Sequence, residues 1–328
     1  MTVIDVHTHM LTLDYLDMLK QYGGDKYDVK ETRAGEPTVH LYGAPFMTLR
    51  EGMWDYDLRI KNMDKAGIDV AIVSLTCPNV YWGDKEISLQ AAKMVNDSMA
   101  EQQAARPDRI RWFASLPFLY PDAAIAELKR SMEKGAVGVM VLANIDDHNL
   151  TDPQFATIWQ SINDYKLPVL VHPTAPQGIR DLNMDEYGLV PPVGFMFDTT
   201  LAISRMILSG FIDRYPDIKI IAGHGGATLP YLAGRLDRCH EMIPACAEVI
   251  TEKPSSYLQR IYYDTVLYDQ RALDLCIEIA GSPDKVLYGS DYPHNLGDME
   301  GCLARVNSLP ADVASRIRSK NAERIFNL

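Results

Sequence analysis

The chain has 328 residues, 47% hydrophobic and 23% charged, a balance that excludes a mostly disordered or fibrous protein. Its 32 basic and 44 acidic side chains leave a net charge of −12, which excludes nucleic acid and anionic lipid as main partners but not a small anionic substrate held by local arginines. Cys77, Cys239, Cys246, Cys276 and Cys302 are scattered with no CxxC pair, as in a reduced, cytoplasmic chain with neither a disulfide framework nor a cysteine-type zinc site.

Short, mostly continuous apolar runs predict strands at Val3–Val6, Val70–Leu75, Ile110–Ala114, Val137–Leu142, Pro168–Val171, Ile218–Ala222, Ile261–Thr265 and Lys285–Tyr288. Amphipathic segments between and after them predict helices at Asp55–Ala66, Lys85–Ala105, Pro121–Lys134, Pro153–Tyr165, Phe197–Arg214, Thr228–Glu241, Gln270–Ala280 and Ala311–Phe326. Eight strand-and-helix units in one chain of this length read as a (β/α)8 TIM barrel, with residues 1–328 as a single domain. A doubly wound open sheet is the weaker reading, because no GxGxxG opens a helix after the first strand. Two segments exceed the minimal barrel. Residues 11–54 form an insertion after the first strand, with a hairpin of Asp28–Thr32 and Thr38–Tyr42, and residues 173–196 form a long loop after the fifth. Both leave carboxyl ends of strands, the face where barrels do chemistry. No apolar run approaches a membrane span, and MTVIDVHTHM lacks the features of a signal peptide.

Chemistry-bearing residues collect at that same face. The first strand runs into His7-Thr8-His9, the fifth into His172, the sixth into His224 within GHGG, and the eighth into Asp291 within GSDYP. Singly, each has an ordinary explanation: two histidines can end a strand, GHGG can be a tight turn, and Asp291 can cap a helix. Together they point to one centre. Alternate strand residues share a side, so His7 and His9 face inward together, and barrel closure brings strands one, five and eight to one mouth. Three imidazoles and a carboxylate can then surround a divalent cation and leave a position open for water.

These motifs, with the register of AGR ending at Arg235 and the WDYDLRIKNMDKAGIDV stretch after the insertion, resemble the amidohydrolase superfamily from end to end. The likeness is strongest to the branch typified by α-amino-β-carboxymuconate-ε-semialdehyde decarboxylase and hydroxybenzoate-type decarboxylases. The resemblance implies one divalent metal per chain, zinc or manganese, held by His7, His9, His172 and Asp291. It implies that His224 is an acid/base residue beside the water on that metal, with Asp291 steering the same water. The region where two-metal relatives carry a bridging lysine or acid after the fourth strand holds Asn144 here, consistent with one metal. The activity implied is a metal-dependent, non-oxidative decarboxylation of a small unsaturated or aromatic acid. Hydrolysis of an amide, ester, lactone or C–C bond by the same centre is the alternative.

A substrate carboxylate calls for a cationic clamp, preferably arginine. Arg235 matches the family arginine that reaches across a homodimer interface, and Arg50 and Arg180 are further candidates in the two long segments. Trp82, in the loop after the second strand, and His294, after DYP, are candidates for contact with a planar substrate. Two positions depart from the semialdehyde decarboxylase. Where it has an arginine seven residues before Trp54, this chain has Met47; where it has an aromatic residue after DYP, this chain has His294.

Overall fold

The computed structural model describes residues 2–32, 34–184 and 186–328, so that Arg33 in the first predicted insertion and Asp185 in the second lie outside the described residues. Eight parallel strands form one sheet in chain order: β1 (Ile4–Met10), β2 (Val70–Leu75), β3 (Ile110–Ala114), β4 (Gly138–Leu142), β5 (Pro168–His172), β6 (Lys219–Ala222), β7 (Tyr262–Asp264) and β8 (Val286–Leu287). Almost every residue in them is buried, because helices cover the outside while side chains fill the inside. The sheet closes as a barrel through the segment after β8. Val6 N donates to Tyr288 O (2.9 Å), Asp291 N to His7 O (2.8 Å), His9 N to Tyr292 O (2.7 Å), and Thr8 bridges Tyr292.

Three features depart from the sequence reading of the barrel. β1 runs four residues beyond Val6, because His7, Thr8 and His9 are wholly buried rather than solvated. β1 also gains one residue on β2 between Asp5 and Thr8, a bulge that sets His7. β8 is shorter than predicted, since Gly289–Tyr292 leaves the regular ladder to pair with β1 through single hydrogen bonds.

The helices Lys85–Ala105, Pro121–Glu133, Leu229–Met242 and Gln270–Ile279 follow the predicted segments closely. The predicted Phe197–Arg214 helix is two, Phe195–Leu208 and Phe211–Arg214, separated by Gly210 at φ 70°. The first insertion is richer than a hairpin. It holds a helix, Leu13–Tyr22, capped by Thr12, and a three-stranded antiparallel meander of Tyr27–Glu31, Pro37–Leu41 and Ala44–Thr48. The second segment passes through a turn at Glu186–Gly188 and a wide helical turn at Val190–Gly194 into the helix at Phe195. Both segments overhang the carboxyl ends of the strands, and Arg59 ties this end down. Its buried guanidinium donates to Thr8 Oγ1 (2.7 Å), to Gly52 O (3.1 Å) and to His9 O, with the ring of Tyr292 4.9 Å away.

Candidate metal centre

His7 and His9 leave β1 with their Nε2 atoms 3.1 Å apart. His172, the last residue of β5, packs its ring 4.6 Å from that of His9 and 5.1 Å from that of His7. Asp291 brings Oδ1 to 3.4 Å from His7 Nε2 and 3.2 Å from His9 Nε2, while its Oδ2 lies 3.8 Å from His224 Nε2. His7, His172, His224 and Asp291 form one group whose donor atoms lie within 4.8 Å of one another, and His9, Asp291 and His294 form a second around the same carboxylate. The chain therefore gathers the five side chains singled out at the strand ends, from four separate strands, in one place.

Local backbone explains how two of them arrive. His224 sits at φ 55° and Asp291 at φ 62°, left-handed conformations that turn each side chain back over the barrel mouth. The glycines after His224 are forced by space as well as angle. A Cβ on Gly225 would lie 2.6 Å from Leu267 Cδ1, and one on Gly226 2.7 Å from Tyr263 Cε1.

The outward ring nitrogens of His7, His9 and His172 are occupied. His7 Nδ1 meets Asp264 Oδ2 at 2.5 Å, His9 Nδ1 meets Ser74 Oγ at 3.1 Å, and His172 Nδ1 donates to Pro173 O at 2.7 Å. These contacts fix the rings so that Nε2 presents its lone pair inward, as metal-ligating histidines require. Asp264, at the end of β7, is the residue sequence reading missed. It also accepts from the backbone N–H groups of His224 (3.0 Å), Gly225 (2.9 Å) and Val266 (3.0 Å). One carboxylate thus orients His7 and pins the turn that carries His224.

Charge follows the same pattern. Burial works to raise the pKa of Asp291, but the imidazoles of His224, His7 and His9 hold it well below the usual carboxylate range. Burial, reinforced by neighbouring imidazoles, pushes His172 well below the usual histidine value and His9 down to about 3, leaving both neutral. His7 goes the other way: burial opposes its charge, yet the Asp264 carboxylate against Nδ1 raises its pKa. Meanwhile His172 Nε2, His224 Nδ1 and Asp291 Oδ1 are buried without a hydrogen-bond partner. Orphaned buried polar atoms cost about 1–3 kcal/mol each, so His172 Nε2 and Asp291 Oδ1, gathered in one cluster, call for a partner there. Neutral imidazole nitrogens and one carboxylate oxygen suit a divalent cation.

The centre floors a cavity of about 500 Å³. Phe46, Met47, Phe195, Met196, Val266 and Leu267 give it apolar walls, so both long segments contribute to it. His294 lines this cavity, with Nε2 2.8 Å from Thr76 Oγ1. The arginine candidates stand elsewhere. Arg50 lies outside the lining, donating to Asn295 Oδ1 and Glu36 Oε1 at the rim. Arg180 covers Tyr42 beside a separate cavity, and Arg235 is exposed on helix Leu229–Met242. Trp82 does not face the site at all. It is buried, with Nε1 donating to Asn79 O (2.7 Å) against Tyr15 of the unpredicted insertion helix. Asn144, after β4, donates to Asp198 Oδ1 (2.9 Å) rather than into the centre.

Comparison with known proteins agrees with this architecture. A family model described as Amidohydrolase matches residues 4–328. The 2-amino-3-carboxymuconate-6-semialdehyde decarboxylase of Dictyostelium discoideum is 30% identical over 301 residues, 90% of this chain and 83% of that protein. The gamma-resorcylate decarboxylase of Polaromonas sp. (strain JS666) is 30% identical over 286 residues, 83% of this chain and 87% of its own length. The crystal structure of 5-carboxyvanillate decarboxylase from Sphingomonas paucimobilis superposes with a TM-score of 0.87 at 27% identity, covering 100% of this chain and 99% of that one. With its barrel, its histidine and aspartate centre and a family match along nearly its whole length, the chain belongs to the amidohydrolase family.

Proposed function

We propose that the protein is a metal-dependent, non-oxidative decarboxylase of a small aromatic carboxylic acid. The observation that carries this is the convergence of three imidazole Nε2 atoms, their Nδ1 atoms anchored outward, with Asp291 on the floor of an apolar cavity. The likeness to proteins named as decarboxylases of carboxymuconate semialdehyde, resorcylate and carboxyvanillate supports the reaction class.

His7, His9, His172 and Asp291 would hold the cation. A divalent ion there supplies positive charge that orients an anionic substrate and stabilises charge developing on it. This donor set favours zinc, with manganese the competitor. Around it, the apolar walls flank a planar ring and exclude water, which strengthens every charge interaction at the floor. His224 Nε2 and Asp291 Oδ2, 3.8 Å apart, hold the proton that is delivered to the ring carbon bearing the carboxylate. The C–C bond to the carboxylate then breaks, carbon dioxide leaves, and the electron pair of that bond restores the ring.

Among the described residues no lysine or arginine lines the cavity. This supports a homodimer in which the exposed Arg235 serves the neighbouring subunit's site. We read residues 1–328 as one domain, with 11–54 and 173–196 as covering segments, acting in the cytoplasm. No described helix is long and apolar enough to cross a membrane.

The deciding experiment is a panel of hydroxylated and carboxylated benzoates incubated with protein of measured metal content, read by carbon dioxide release. The expected result is gas evolution from some members with about one metal equivalent per chain. The His224→Asn variant should keep its metal and lose turnover by about 100-fold or more. Hydrolysis products without gas, or full activity in that variant, would defeat the assignment.

A further inference from the structure

The cavity wall carries a polar group that the proton-transfer scheme leaves unused. His294 follows the DYP turn that delivers Asp291, and its backbone N–H donates to Asp291 O (3.0 Å). Its ring packs 4.9 Å from that of His9, tilted by 56°, and it shares a donor group with His9 and Asp291. The ring therefore stands beside the metal centre, on the cavity side.

Thr76 Oγ1, on the residue after β2, holds His294 Nε2 at 2.8 Å and so fixes the plane of the ring. Among the described residues Nδ1 has no hydrogen-bond partner. Of the other polar groups of the wall, Cys77 Sγ contacts Pro173 O (3.2 Å) and Asn295 Oδ1 accepts from Arg50 (2.6 Å), while Thr48 and Tyr268 line the cavity without standing against the metal-centre imidazoles as His294 does. Met47, Val266 and Leu267 add apolar surface to the same cavity.

A ring filling this cavity strips water from the unpartnered imidazole nitrogen. An acid with no polar substituent at that point leaves the nitrogen unsatisfied, and a site built around such a group discriminates strongly against ligands that lack its partner. An aromatic residue at this position would impose no such demand. We propose that His294, positioned by Thr76, reads a hydroxyl on the ring of the bound aromatic acid and selects hydroxylated over unsubstituted benzoates. This rests on the decarboxylase reading only in taking an aromatic acid as the ligand.

The test measures binding, not turnover. Titration calorimetry of zinc-loaded protein with 2-hydroxybenzoate and with benzoate gives an affinity ratio for each variant. The wild type should prefer 2-hydroxybenzoate by about tenfold or more. His294→Phe should bind the two alike, with benzoate affinity within about twofold of wild type. His294→Asn, which restores a hydrogen-bonding group, should recover part of the ratio. Thr76→Val keeps the ring but releases it, and should lower the ratio severalfold even if the phenylalanine variant folds poorly. Equal affinities in the wild type, or a preference that survives in His294→Phe or Thr76→Val, would overturn the proposal. Carbon dioxide release is measured separately. Its absence counts against the decarboxylase reading, whereas the affinity ratio alone decides His294.

Discussion

Asp264 is the residue whose replacement speaks most directly to how the centre is built. Both of its oxygens only accept: Oδ2 from His7 Nδ1 and the His224 N–H, Oδ1 from the N–H groups of Gly225 and Val266. An asparagine of the same shape must turn its NH2 toward one of these donor pairs. Two buried donors then face a donor, and the charge-assisted bond to His7 is lost. Buried unsatisfied donors cost about 1–3 kcal/mol each, so Asp264→Asn should lose about 3–5 kcal/mol of stability. Losing the partner that orients a metal-ligating histidine typically lowers metal affinity about 10–100-fold, or about 1.4–2.7 kcal/mol. Stability is read from urea unfolding, and affinity from competition with a chromophoric chelator. The two losses are separable, because glutamate at position 264 keeps the charge but displaces the oxygens, and should damage packing more than it damages the charge on His7. An asparagine variant that binds zinc within about twofold of wild type would show that the Asp264–His7 contact does not organise the centre.

Three further outcomes follow from the same geometry. His9 and His172 are neutral and Asp291 ionised, while Asp264 keeps His7 protonated above the usual imidazole range, so metal uptake near neutral pH should displace about one proton. Calorimetry in buffers of different ionisation enthalpy counts it, and a count near zero or three would contradict the assigned charges. Gly225→Ala places a methyl 2.6 Å from Leu267 Cδ1 at φ 60°, which should cost about 2–4 kcal/mol and depress turnover more than metal content; a fully active variant would show that the turn under His224 tolerates a side chain. Burial raises the Asp5 pKa from 3.8 to about 7, so the folded state holds its proton more tightly than the unfolded chain does. Its contribution is therefore fully present below about pH 4 and lost as pH rises through 7. Asp5→Asn should flatten that decline in a series of denaturation midpoints, and an unchanged slope would refute the assignment.

The barrel was legible because most of its strands are largely apolar runs buried on both faces, a pattern that owes little to distant partners. β1 was only half legible. Val3–Val6 reads as a strand, whereas His7-Thr8-His9 reads as its end, since nothing local shows that two histidines and a threonine will be wholly buried. The histidines of the candidate centre could be found because each lies at or just beyond the end of a predicted strand, and strand ends converge. Asp264 also ends a strand, but its meaning lies in a contact with His7 across 257 residues of chain, where a lone aspartate otherwise looks like a helix cap. Trp82 failed for the opposite reason. An aromatic residue in a loop on the reactive face looks available, yet the Leu13–Tyr22 helix supplies Tyr15 to cover it, and that helix had not been read from its own amphipathic sequence.

Irregular backbone occurs at the candidate centre as well as in the outlying loops. β1 carries a bulge beside His7, His224 and Asp291 take left-handed conformations, and β8 gives up its ladder just before Asp291. Each is unfavourable locally, by about 1–2 kcal/mol for a left-handed non-glycine residue. Compensation comes from the same few atoms each time. Asp264 binds the N–H groups of the His224 turn, His7 O accepts from Asp291 N, and Tyr292 O accepts from His9 N and Thr8 Oγ1. The hydrogen bonds that a regular barrel would spend on its last strand are spent here on holding two side chains over the mouth. A chain that continued β8 in regular register would close a better barrel and would carry Asp291 along the wall, away from the imidazoles it now faces.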